Sequence, residues 1–138
     1  MRGTEWRSIG VLAVAVFVAA ACAKSDPDSR TAPPASSVQG DSETVARLEG
    51  EARALARTDG CTFAGQCMTA PVGERACGGP REHLVYCART TDTATLHRRL
   101  AELRQAEMAL NQQTGAVSTC EFREPPPTQL VAGACQAR

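Results

Sequence analysis

Aromatic side chains, lysine and histidine are all scarce in this 138-residue chain. It holds three Phe, one Tyr, one Trp and two His, and its single lysine, Lys24, stands against 14 arginines. The formal net charge is zero, and the chain from Cys22 onward carries −1, so no basic face for nucleic acid is expected. The arginine excess accompanies many alanines and reads as compositional bias, not as a site. No apolar run reaches the roughly 18 residues of a membrane-spanning helix. No C-x-x-C pair, GxSxG elbow or HExxH helix is present, which removes the common redox, acyl-transfer and zinc-hydrolase signatures.

What is present begins at the N-terminus. Arg2 and Arg7 precede an uncharged, apolar stretch, residues 9–21 (IGVLAVAVFVAAA), followed by Cys22. A basic start, a short apolar core and small residues at its end describe a secretory signal over residues 1–21. Ala20 and Ala21 before Cys22 resemble the end of a bacterial lipoprotein signal, although Ala19 stands where that pattern carries an aliphatic residue. The resemblance implies a diacylglyceryl thioether on Cys22 and an acylated amino group, with the lipid bilayer as partner. Several acyl chains anchor firmly, at about 0.8 kcal/mol per buried CH₂. Ala23 in place of aspartate resembles the outer-membrane sorting pattern, so the folded part is expected to face the periplasm. Ordinary signal peptidase offers rival cuts after Ala21 or Ala23, and those would give a secreted protein.

Residues 24–41 (KSDPDSRTAPPASSVQGD) hold three prolines, four serines and one large apolar side chain, Val38. Such a stretch buries too little to offset its ordering entropy, so a disordered tether is expected over residues 22–41.

Residues 42–138 suffice for one small domain with a thin core. Six cysteines remain after Cys22: Cys61, Cys67, Cys77, Cys87, Cys120 and Cys135. In an exported domain of this size three disulfides are expected, each contributing about 2–4 kcal/mol. Of the 15 possible pairings, the expectation is Cys61 with Cys87, Cys67 with Cys77, and Cys120 with Cys135. Two helices are predicted. One is capped by Asp41, with Val45, Leu48, Ala52 and Leu55 on one face and Thr58-Asp59-Gly60 as its stop. The other is capped by Asp92, carries Leu96, Leu100, Leu103 and Leu110, and ends at Gly115. Strands are expected at 83–88, 117–123 and 129–135, with 62–68 as a weaker fourth. The fold class is therefore α+β: two helices on a small antiparallel sheet, stapled by three disulfides.

Chemistry is harder to find. The first four cysteines are separated by five, nine and nine residues, not the short spacing of a zinc site. No metal or cofactor is expected. His83 and Cys87 would lie some 13 Å apart along a strand, too far for proton transfer. Glu49 with Glu51, Glu102 with Glu107 and Glu121 with Glu124 read as solvated charges. Residues 69–82 (TAPVGERACGGPRE) are the one stretch with some binding potential, with Arg75 and Arg81 expected to be exposed, although an ordinary connection between strands accounts for them more simply.

Residues 61–138 resemble in style small, cysteine-rich bacterial envelope proteins, a group that implies no particular activity. The reading that follows is a non-catalytic, membrane-tethered domain that binds an envelope protein or scaffolds the envelope. One version inhibits a hydrolase through Arg75 or Arg81. The alternative is a small-molecule-binding or enzymatic site assembled from scattered Arg, Glu and Tyr86.

Overall fold

A computed structural model describes residues 34–138. The expected signal peptide, Cys22 and the first part of the tether lie outside these residues. Among the described residues, no helix is long and apolar enough to cross a membrane.

Helix α1 spans Ala35–Leu55 and α2 spans Thr93–Thr114. The second matches its sequence signals closely. The Asp92 carboxylate accepts from the Thr95 N–H at 3.1 Å, and Gly115 closes the helix in the left-handed conformation at φ 63°. The first starts earlier than its expected cap at Asp41, so residues 35–41 are helical and not part of a tether. Pro34 explains the start. It holds φ at −61°, and a helix N-terminus leaves N–H groups unpaired in any case. Half-buried Val38, Val45 and Leu55 extend the stripe of the buried Leu48 and Ala52 on α1.

Strands β1 (Cys67–Val72) and β2 (Glu82–Cys87) form one antiparallel hairpin. Strands β3 (Thr128–Val131) and β4 (Ala134–Ala137) form another. The expected sheet is thus two separate two-stranded sheets. The α+β class with three disulfides holds.

Alternation along β1 and β2 builds two cores. Ala70, Val72, Leu84 and Tyr86 share one face and pack with Leu48, Ala52, Leu96, Leu100 and Leu103 from the helices. Leu96 and Leu103 are completely buried, each contributing about 1.5–3 kcal/mol. Cys67 and Cys87 lie on the opposite face, directly across from each other. They do not bond to each other. Cys87 joins Cys61, and Cys67 joins Cys135 on β4; with Val85 and Leu130 these four make a second core between the hairpins.

The third bond is Cys77–Cys120. Of the expected pairings, Cys61–Cys87 holds and the other two do not. The cause is the stretch 117–123, which alternates in sequence but forms no strand. Without that strand Cys120 has no place beside Cys135, which faces Leu130 across the β3–β4 pair. The stretch 129–135 is likewise not one strand. Ala132 and Gly133, at φ 49° and 78°, turn the chain back on itself within it.

Candidate functional site

The expected binding loop, residues 69–82, is partly strand. Thr69–Val72 belong to β1 and Glu82 to β2, leaving Gly73–Arg81 as their connection. Pro71 does not prevent pairing, because a two-stranded sheet has only edge strands and one side of each needs no donor. The connection is tightly self-bonded. The Arg81 N–H donates to the Val72 carbonyl at 3.0 Å and the Arg75 N–H to the Gly79 carbonyl at 2.9 Å.

Neither arginine of this connection is free. Arg81 donates through Nε to Glu107 at 2.9 Å and through a terminal nitrogen to Glu49 at 2.8 Å. Glu107 is only 6% exposed and also accepts from the Glu74 N–H. A Cβ at Gly73, where φ is +70°, would overlap the Glu107 carboxylate, so glycine is required there. Arg53 bridges Glu49 and Glu82 on the same surface. Burial pushes the Glu49 carboxyl up, but hydrogen bonds and charge from Arg53 and Arg81 outweigh it and hold its pKa below the usual glutamate value.

Glu107 was expected to be solvated. It occupies the next inward position after Leu96, Leu100 and Leu103, and that spacing was the signal available in the sequence. Tyr86 lies in the core at 2% exposure, with its hydroxyl 3.3 Å from His97 Nε2; burial pushes its phenol pKa up. Arg75, Arg81 and Tyr86 therefore have different partners and do not converge on one cleft. The Cys87 sulfur, which shares a strand face with His83, is committed to its disulfide.

Arg75 points to the feature that sequence reasoning misread. Its guanidinium donates to two backbone carbonyls, those of Thr119 and Glu121. Carbonyls two residues apart that turn to one cation follow the alternation of an extended chain. The Cys77 N–H donates to Ser118 Oγ at 3.0 Å, and the Cys77–Cys120 bond lies beside it. Residues 116–127 are thus pinned to the β1–β2 connection by one disulfide and three side-chain hydrogen bonds. They pair with no strand.

Their outer side is apolar at two points. Val117 is 94% exposed and Phe122 83%, well above Phe63, the next most exposed large apolar side chain among the described residues. An open groove of about 270 Å³ beside Phe122 is lined by Arg75, Cys77, Pro80 and Cys120. Another of about 310 Å³, lined by Glu74, Met108, Asn111 and Ala116, flanks the start of the segment. Both lie at the low end of ligand-site volumes, and both border the same segment.

Comparison of the chain with protein-family models, with curated proteins and with solved structures gives no match.

Proposed function

We propose that this chain is a lipoprotein, anchored through Cys22, whose disulfide-stabilised domain binds another envelope protein or scaffolds the envelope without catalysing a reaction. The observation that carries the binding role is the segment 116–127. It shows Val117 and Phe122 to solvent on a backbone fixed by Cys77–Cys120 and Arg75. A fixed segment loses little freedom on docking, and an aromatic anchor supplies most of the contact energy. Three disulfides favour an oxidising compartment, in keeping with export and an outer-membrane address facing the periplasm. In the version that inhibits a hydrolase, Phe122 replaces Arg75 and Arg81 as the side chain offered to the partner, since both arginines are held within the domain.

Two experiments test the two halves. Metabolic fatty-acid labelling should mark the wild type and leave Cys22→Ser unmarked; equal label in both, or none in either, rejects the anchor. Chemical cross-linking in cells should recover one reproducible protein partner, lost when Val117 and Phe122 are both changed to Ser. A partner recovered equally with the double variant, or none with the wild type, rejects the docking segment.

A further inference from the structure

The three disulfides differ in what surrounds them. Cys61, Cys87, Cys67 and Cys135 are each at most 6% exposed and together form the core between the hairpins. Cys77 and Cys120 are both exposed, and neither belongs to a core cluster. A thiolate must reach a sulfur along the line of the S–S bond, so a buried bond exchanges only when the surrounding structure opens. An exposed bond is attacked directly.

We propose that Cys77–Cys120 is a thiol-exchange site, open to dithiols while the other two disulfides remain closed. A thiolate of the incoming dithiol attacks one of the two sulfurs; the S–S bond breaks and the other cysteine leaves as a thiolate, which takes a proton. The second thiol of the reagent then attacks the mixed disulfide. Cys77 and Cys120 end as two thiols, and the dithiol ends oxidised to its own disulfide. Two electrons and two protons pass from the dithiol to the protein.

The placement of the bond gives the exchange a structural consequence. It is the sole covalent tie between residues 116–127 and the β1–β2 connection. After reduction only Arg75 to the carbonyls of Thr119 and Glu121, and the Cys77 N–H to Ser118 Oγ, hold the middle of the segment. All three are exposed hydrogen bonds, each contributing little against water. The helix core and the disulfide core contain none of these residues, so they persist while the segment detaches. The detached segment carries Val117 and Phe122, the side chains on which the docking role rests. The exchange itself does not depend on that role.

The test uses the full chain, oxidised and held in mild detergent, exposed briefly to dithiothreitol at neutral pH and then trapped with an alkylating agent. Peptide mapping should find Cys77 and Cys120 labelled about tenfold or more faster than the other four half-cystines of the domain. A parallel incubation with glutathione, a monothiol, should place its adduct on Cys77 or Cys120 alone. Limited proteolysis of the partly reduced protein should cut within residues 116–127 and leave the remainder intact. Labelling of all six together, of either buried pair first, or of none before denaturant is added overturns the proposal.

Discussion

Glu107 lies on the inward stripe of α2, where its carboxylate receives Arg81 and the Glu74 N–H. Changing it to Ala leaves the half-buried Glu74 N–H without a partner and Arg81 with Glu49 and Glu82 as its remaining carboxylates. The expected loss is about 2–3 kcal/mol of unfolding free energy, measured by urea denaturation. Gly73→Ala should lower stability through the same contact, since its methyl group would displace the carboxylate. Ala132 offers the opposite case. At φ 49° it sits where an ordinary side chain is strained, so Ala132→Gly or Ala132→Asn should stabilise the domain by about 1 kcal/mol, read as a higher melting temperature. Glu49 supplies a pH dependence. Its folded pKa lies below the ordinary value of 4.5, so its contribution is complete above that value and is lost as the pH falls through the folded pKa. Urea midpoints should therefore fall as the pH drops below the ordinary glutamate range, and Glu49→Gln should make that fall shallower.

Elements differ in how far their sequences disclose them. Helix α2 was legible to the residue, because an Asp cap, an apolar stripe and a terminal glycine all agree. The start of α1 was not, since Ser, Gln and Gly between Pro34 and Asp41 read as linker until α2 is present to pack against. Strand β2 was legible as an apolar run. Strand β1 begins where the expected strand 62–68 ends and runs on through Pro71, later in the chain than its sequence suggests. The segment 117–123 shows the reverse failure: its alternation is real, but no strand edge is paired to it, and periodicity in sequence carries no partner. The two wrong disulfide pairings follow from that one misplacement. Among candidate site residues, the sequence pointed to residues 69–82 and to Arg75 and Arg81 as exposed, whereas both arginines are held within the domain. Acidic partners on α1 and α2, and backbone carbonyls on the segment, lie about 26 to 46 positions away in the chain, beyond any local pattern. At this scale Leu103→Ala, at the centre of the α2 stripe, should cost about 2–5 kcal/mol. Replacing both Cys67 and Cys135 by Ser should cost about 2–5 kcal/mol as well, because that bond joins the two hairpins.

The whole domain divides its labour between a shielded interior and one exposed segment. Two disulfides and a helix–hairpin core set the shape, leaving few uncommitted polar groups on the surface around the β1–β2 connection. The third disulfide serves the segment 116–127 instead, fixing a stretch that makes no sheet and shows an aromatic ring to solvent. A lipid at Cys22 would keep that ring within reach of other envelope proteins, which is the sense of joining the two halves of the proposed function. Site-specific photo-cross-linking in living cells tests that claim most directly. A photoreactive amino acid is placed at position 122, with a control at Gln105, exposed on α2. The account predicts one discrete protein adduct from position 122 and none from position 105. Absence of any adduct from position 122, or the same products from both positions, would contradict it.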